Sequence, residues 1–286
     1  MKKLSILLMG LLLVFSSCSK LDFDYTPEND NITFASSTGR YALDGKDIVV
    51  TIQRGVVNKA ITVNVTLTDV NKVYTLKTPT VSFAEGANSA DVIISYNSAA
   101  LKPVINYGFK LSFNEAQVAI SGTNEFIATA SMPLVYKDYG TISFTSGVVL
   151  QNFGVKTSDY KLQKADKTDN YYKIVNMYGS GKDMEFNVSG NLANITAPEL
   201  TKNKYFGTAL FAEFKLAGTY PQYGSFVAWV DPDQGGAEVA GATATGKMVV
   251  GTELALSVFY THDAGYLKSA SGSYWWWDTF TVTKVN

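Results

Sequence analysis

The chain has 286 residues, of which 46% are hydrophobic and 17% are charged, so it has the apolar content of folded domains and roughly the length of two. Its 24 Lys and Arg side chains are balanced by 25 Asp and Glu, and the net charge of −1 gives no basic surface for nucleic acid. One histidine and one cysteine exclude an internal disulfide and leave few side chains for metal, thiol or triad chemistry.

The first 17 residues are typical of an export signal. Lys2 and Lys3 precede an apolar run over 4–15, which is shorter than the roughly 20 residues that span a bilayer. The sequence Phe-Ser-Ser-Cys at 15–18 resembles the lipobox of bacterial lipoproteins, with Phe in place of the usual Leu. The resemblance implies a lipoprotein signal peptide over 1–17 and lipidation of Cys18, which would anchor the protein through its N-terminal lipid only. A free thiol in an ordinary secretory signal is the alternative.

Residues 18–30 are predicted to form an acidic flexible tether. The segment carries four acidic residues and one proline, and it has no sustained periodicity: Asp22, Asp24, Pro27, Glu28 and Asp30. Cys18, Lys20 and the acidic residues after them resemble the export signal of Bacteroidetes surface lipoproteins. The resemblance implies a lipid-anchored protein of the cell outer membrane that faces outside, with the periplasmic face as the alternative.

The remainder of the chain is predicted to be all-β. Apolar and polar residues alternate over 48–52, 61–67, 107–113, 210–216 and 254–260, as in strands with one buried face. Turn dipeptides such as Asp44-Gly45 and Arg54-Gly55 separate the runs. No apolar helical stripe extends beyond two turns.

Residues 31–137 are predicted to form an immunoglobulin-like sandwich, because about seven short strands occur there. Their order, with the Phe-Ala-Glu-Gly hairpin at 83–86 before another alternating strand, resembles a Calx-beta-like module. It is also similar to the immunoglobulin-like N-terminal domains of Bacteroidetes surface lipoproteins, including the glycan-uptake type. The resemblance does not imply calcium binding here. Calx-beta modules that bind calcium use clustered acidic loops, whereas Asp69, Glu85 and Asp91 are scattered singly.

Residues 138–286 are predicted to form a second, aromatic-rich β-sandwich or barrel that binds a ligand. All four tryptophans lie in this part of the chain. The run Tyr-Tyr-Lys-Ile-Val-Asn-Met-Tyr-Gly at 171–179 resembles a strand start that recurs in Bacteroidetes lipoproteins of uncharacterised function.

The strongest candidate for a binding surface is the strand at 274–283. Alternation places Trp275 and Trp277 on its wetter, Thr-rich face, and Tyr274 and Trp276 on the face of Phe280 and Val282. Two indoles about 6.6–6.8 Å apart along a strand would form a platform for stacking sugar rings. The candidate ligand-binding residues are Trp275, Trp277, Trp229, Tyr274 and Tyr223, with Tyr220 as a further rim residue. The alternative is that these tryptophans fill a core.

Asp231, Asp233 and Glu238 lie in a Gly-rich turn that could hold Ca²⁺ through oxygen ligands. The EF-hand spacing fails, and a hairpin with local hydrogen bonds explains the turn equally well. Asp231 or Asp233 with Glu213 could form the carboxylate pair of a glycosidase, but the required separation cannot be read from sequence. We therefore predict no catalytic residue, no metal and no cofactor.

The favoured function is a non-catalytic outer-membrane lipoprotein that binds extracellular glycan, or another ligand, through the aromatic platform. Its partners would be a polysaccharide or oligosaccharide and an outer-membrane protein complex. The first alternative is an adhesion or assembly protein that uses the aromatics to bind another surface protein. The second alternative is an all-β glycan hydrolase.

Overall fold

The computed structural model describes residues 29–120, 122–147, 152–153, 158–196, 200–207, 210–217, 223–232, 237–269 and 271–286. The predicted signal peptide and Cys18 lie outside these residues. Short 3-10 helices occupy Ser98–Ala100, Glu115–Gln117 and Met177–Gly179, and the regular structure is otherwise dominated by strands. The prediction of an all-β protein is confirmed. Within the described ranges, no helix has both the length and the apolar content to cross a membrane.

The chain divides into two compact units, one made of the described residues up to 99 with 106–130, and one made of 100–105 with 131–286. The strands of the first unit are β1 (Ile32–Phe34), β2 (Thr38–Ala42), β3 (Ile48–Arg54), β4 (Ile61–Asn64), β5 (Thr66–Thr68), β6 (Tyr74–Leu76), β7 (Thr80–Phe83), β8 (Ser89–Tyr96), β9 (Phe109–Ser112) and β10 (Glu125–Ser131). The strands of the second unit are β11 (Tyr136–Ser146), β12 (Asp159–Ala165), β13 (Tyr171–Ile174), β14 (Met184–Ser189), β15 (Leu192–Ile195), β16 (Leu200–Lys202), β17 (Leu210–Lys215), β18 (Val227–Val230), β19 (Ala237–Ala240), β20 (Glu253–His262), β21 (Gly265–Tyr266) and β22 (Trp275–Val285). The predicted domain boundary at 137/138 falls inside β11.

The first unit is a sandwich of two four-stranded antiparallel sheets, ordered β1-β3-β8-β6 and β2-β10-β9-β5, with a separate β4-β7 pair. Aromatic side chains join the two sheets. Phe34 on β1 lies 5.8 Å from Phe126 on β10, and Tyr74 on β6 lies 4.8 Å from Phe109 on β9, measured between ring centroids. Alternation explains these contacts, because every second residue of a strand points into the core.

Arg54, at the end of β3, is buried in the first unit although the sequence suggested a turn there. Only 4% of its surface is exposed. Its guanidinium donates hydrogen bonds to the carbonyls of Ala87 (2.7 Å), Lys59 (2.7 Å) and Ala84 (2.6 Å). It also lies 5.1 Å from the ring centroid of Phe83. One side chain therefore ties β3 to the predicted hairpin at 83–86.

Eight strands of the second unit form a closed antiparallel barrel, in the order β11-β12-β13-β14-β15-β19-β20-β22. The ring closes because β22 pairs with β11 on one edge and with β20 on the other. β20 is long enough to pair with β19 through residues 253–256 and with β18 through 258–261. β18, β17 and β16 therefore extend the sheet beside the barrel.

Large apolar side chains fill the interior of this unit. Phe144 and Phe280 are fully buried, and their rings lie 5.1 Å apart. Leu254, Leu256 and Val258 on β20 are buried in the same core. The opposite faces of β17, β18, β20 and β22 consequently carry the odd-numbered side chains, and these positions form the candidate site.

Candidate functional site

A row of four side chains crosses the outer face of the second unit. The strand register places Glu213 beside Trp229, Trp229 beside Phe259, and Phe259 beside Trp275. The neighbours Ala228, Val230, Val258 and Tyr260 point the other way, into the core. Three of the four positions in the row are thus aromatic on a face that is not part of the main core.

Further rings gather around this row to form a layer that we call the aromatic face. Its members share the outer side of β17, β18, β20 and β22 or the loops next to them: Tyr205, Phe206, Phe211, Trp229, Phe259, Tyr266, Tyr274, Trp275 and Trp277. The loop after β16 is turned back by Asn203, whose Oδ1 accepts the N–H of Tyr205 at 2.8 Å. Phe206 then covers Phe259 at 4.8 Å and Trp275 at 5.6 Å, measured between ring centroids.

A cavity of about 180 Å³ opens within the aromatic face. Five aromatic rings line it: Tyr205, Phe206, Phe259, Tyr266 and Tyr274. The rings of Tyr205 and Tyr266 lie 4.8 Å apart and those of Tyr266 and Tyr274 5.2 Å apart, both edge to face. Tyr205 and Tyr266 are 37% and 38% exposed, whereas Phe259 is buried. The cavity therefore combines an apolar floor with tyrosines that reach water.

Two lysines place positive charge over these tyrosines. Lys204 Nζ lies 4.9 Å from the ring centroid of Tyr205, and Lys268 Nζ lies 5.1 Å from that of Tyr274. Hydrogen bonding from Lys268, and secondly from Tyr266, lowers the pKa of Tyr274, and the reciprocal interaction with Tyr274 raises the pKa of Tyr266. The cavity thus offers phenolic hydroxyls and ring edges to a ligand, and the two ammonium groups lie over the rings of two tyrosines that line it.

The structure brings four of the five predicted ligand-binding residues to this face. Trp277 is 51% exposed, whereas Trp275 and Trp229 are half-buried. Trp275 packs under Phe206, so the two indoles do not form the open pair that the sequence suggested. Alternation predicts Tyr274 on the core face, but this residue precedes β22 and contacts Tyr266 at the cavity.

Tyr223 lies apart from the others. Its ring packs against Phe153 at 4.9 Å, Phe226 at 5.8 Å and His262 at 5.2 Å, next to the core of the second unit. It therefore does not form a rim for the tryptophans. Tyr220, the other predicted rim residue, lies outside the described residues.

The alternation along β22 holds at Asp278, which points into the core. This carboxyl group is fully buried and accepts hydrogen bonds at Oδ2 from Tyr178 (2.5 Å) and from Tyr260. Its Oδ1 has no hydrogen-bond partner, and a Cβ at Gly147 would overlap this atom. Burial raises the pKa of Asp278 to about 6, although the two phenols lower it.

Those acidic residues considered for calcium and for hydrolysis that the structure describes lie on, or directly after, different strands. Asp231 is buried at the end of β18, Glu238 is exposed on β19, and Asp233 lies outside the described residues. Glu213 accepts a hydrogen bond from Thr201 and lies 3.9 Å from Lys182 Nζ. Across the described ranges, no three His, Cys, Asp or Glu side chains are grouped to hold a metal ion.

Sequence reasoning missed Tyr205, Phe206, Phe259 and Tyr266. Phe259 could have been found, because it occupies an outward position in the alternating run 254–260. The loop residues give no such signal, since no strand pattern fixes the direction in which they point.

No protein-family model matches the chain, and no curated protein matches it. Among solved structures, a Bacteroides ovatus protein of unknown function is 12% identical over 90% of this chain and 95% of its own, with a TM-score of 0.33. The calcium-binding domain CBD12 of CALX1.1 is 9% identical over 55% of this chain and 81% of its own, with a TM-score of 0.35. A candidate carbohydrate-binding protein from B. ovatus is 11% identical over 89% and 80%, with a TM-score of 0.30. Similarities this low carry no argument about function.

Proposed function

We propose that the second unit binds a saccharide at the aromatic face and that the protein acts by binding, without catalysis. The observation that carries the proposal is the cavity walled by five aromatic rings, with the exposed indole of Trp277 on the same face. Aromatic faces stack well on the C–H faces of sugar rings, because these are apolar while the sugar hydroxyls stay at the edge.

Polar groups at the cavity fit the hydroxyls of a sugar. The phenols of Tyr205, Tyr266 and Tyr274 can each donate and accept a hydrogen bond, and Lys268 can donate. A few polar groups above a mainly apolar floor are the usual composition of small-ligand sites. An exposed aromatic patch of this kind is also typical of an interaction surface.

Removing the exposed indole tests this proposal. We expect Trp277→Ala to weaken saccharide binding about tenfold, because aromatic stacking contributes about 0.5–1.5 kcal/mol beyond the area buried and 1.4 kcal/mol corresponds to tenfold. Isothermal titration of the purified protein against a polysaccharide panel measures the change.

Leu192→Ala is the matched control, because Leu192 is an exposed apolar side chain on β15 of the same barrel, away from the aromatic face. It should leave the affinity unchanged. Absence of binding to the whole panel, or equal binding by Trp277→Ala and wild type, would count against saccharide binding. In that case, recovery of one outer-membrane protein in stoichiometric amount would favour the adhesion alternative.

We further propose that Cys18 carries the lipid that anchors the protein to the outer membrane, facing outside. The support is the lipobox-like segment at 15–18 with its single cysteine. Metabolic labelling with an alkynyl fatty acid should mark the wild type and leave Cys18→Ser unmarked. Accessibility of the intact cell surface to added protease would then report the side of the membrane, and an unlabelled wild type would refute the anchor.

A further inference from the structure

A second cavity, of about 260 Å³, lies next to the first and shares Tyr205 with it. Its lining includes three neighbours from the end of β16 and the loop that follows, and two side chains from β18 and β20: Lys202, Asn203, Lys204, Trp229 and Thr261. The two cavities therefore adjoin at Tyr205, which lines both.

Trp229 is held in place as a wall of this second cavity. Its indole N–H donates to Thr261 Oγ1 at 2.8 Å, across the pair β18–β20. Because the donor is already used, the ring is presented to a ligand by its face and edges. Tyr205 stands beside it and is 37% exposed, so the cavity contains two aromatic rings suited to a sugar.

The amide of Asn203 has an unmet hydrogen bond at the wall of this cavity. The side chain is only 1% exposed, and its Oδ1 is occupied by the Tyr205 N–H. Its Nδ2 has no partner. A buried donor without an acceptor costs free energy, and the loop carries this cost while Asn203 Oδ1 holds Tyr205 at the cavity.

Two lysines give the described part of the lining a positive charge. Lys202 and Lys204 are exposed and, within the described ranges, neither forms an ion pair. The nearest acidic side chain in the cross-strand row, Glu213, is engaged by Lys182. Among the described residues that line the cavity, none is Asp or Glu.

From these features we infer that the cavity receives the anionic group of an acidic saccharide, one that bears a carboxylate or a sulfate. The ring of the acidic sugar stacks between Trp229 and Tyr205, and its anion meets Lys202 and Lys204. The inference rests on the proposed function, which it narrows to acidic glycans. Charge-assisted hydrogen bonds make the anionic contact stronger than contacts to neutral hydroxyls.

The test compares methyl glucuronide with methyl glucoside, which differ at one carboxylate. Binding to the full-length protein is followed through the four tryptophan indole N–H signals in ¹⁵N-labelled samples, with Trp229 as the local reporter. We expect glucuronide to bind about tenfold more tightly than glucoside and the preference to shrink as salt is raised. Lys202→Gln/Lys204→Gln should abolish the preference, and Lys247→Gln/Lys284→Gln, which removes two exposed charges elsewhere on this unit, should retain it.

The possible outcomes distinguish a failure of the acidic specificity from a failure of saccharide binding. Equal affinity for the two glycosides in the wild type, or a preference that survives Lys202→Gln/Lys204→Gln, would overturn the acidic specificity and leave saccharide binding standing. Saccharide binding itself would be overturned if inorganic sulfate and glucuronide gave the same response, glucoside gave none, and Trp277→Ala did not change these results. Methyl glucoside sulfated at one hydroxyl distinguishes a carboxylate from a sulfate ligand.

Discussion

As the pH rises from 4 to 7, the second unit of the wild type is expected to lose about 3 kcal/mol of stability relative to that of Asp278→Asn. The carboxyl group is buried among Tyr178 and Tyr260, and burial raises its pKa from 3.8 to about 6. The pKa values of both phenols are also raised, first by burial, so the phenols stay neutral throughout this range.

The direction in which stability changes with pH follows from proton binding. Because the pKa of Asp278 is higher in the folded state, the folded protein binds this proton more tightly than the unfolded chain does. The stabilisation is therefore complete below about pH 4 and is lost as the pH rises through about 6. Asparagine does not titrate, so the variant lacks this dependence.

Denaturant unfolding at intervals from pH 4 to pH 8, followed by tryptophan fluorescence, measures the shift. All four tryptophans belong to the second unit, so the signal reports that unit alone. Tyr178→Phe is the companion variant: it removes one hydrogen bond that lowers the pKa of Asp278, so the titration should move to higher pH. A difference between wild type and Asp278→Asn that stays constant with pH would contradict the prediction.

Replacing Arg54 by methionine is expected to destabilise the first unit by about 3 kcal/mol or more. Methionine keeps much of the buried alkyl chain but leaves the carbonyls of Lys59, Ala84 and Ala87 without their common donor. Hydrogen bonds from charged groups contribute about 1.5–3 kcal/mol each, and partial access of water to the freed carbonyls reduces the total. Hydrogen exchange of the amides of β3 and β8 should accelerate accordingly.

The matched control for this variant is Arg40→Met. Arg40 lies exposed on β2 of the same unit and loses the same charge when replaced. We expect it to change the unfolding free energy by less than about 0.5 kcal/mol. If both variants had equal effects, the buried guanidinium would not be what holds β3 to the hairpin.

Alternation in the sequence was sufficient to predict the all-β class, several of the strands and the direction of side chains along β22. Trp277 points outward and is half exposed, while Phe280 and Val282 point into the core. The pattern works because a strand turns successive side chains to opposite faces, whatever it pairs with. The same reasoning places Asp278 inside, where polarity alone would have kept it at the surface.

Partners brought from distant segments could not be predicted. The sequence places Arg54 in a turn, and the approach of the hairpin after β7 supplies two of its three acceptors, the carbonyls of Ala84 and Ala87. Asp278 finds its phenols 18 and 100 residues away. Phe206 covers Trp275, and no local sequence pattern indicates this contact between distant segments. The sequence therefore indicates the tryptophans and Tyr274 of the candidate site, but not Tyr205, Phe206, Phe259 and Tyr266.

The manner in which the barrel closes has a consequence for the time course of folding. Strands β11 to β15 pair with their neighbours in sequence, but β11 must wait for β22, which follows it by more than a hundred residues. Contacts of such long range slow folding, and an unpaired strand edge attracts other chains in the interval. A nascent chain therefore remains vulnerable to aggregation until residues 275–285 have been made and have paired, so chaperone protection before that moment is valuable.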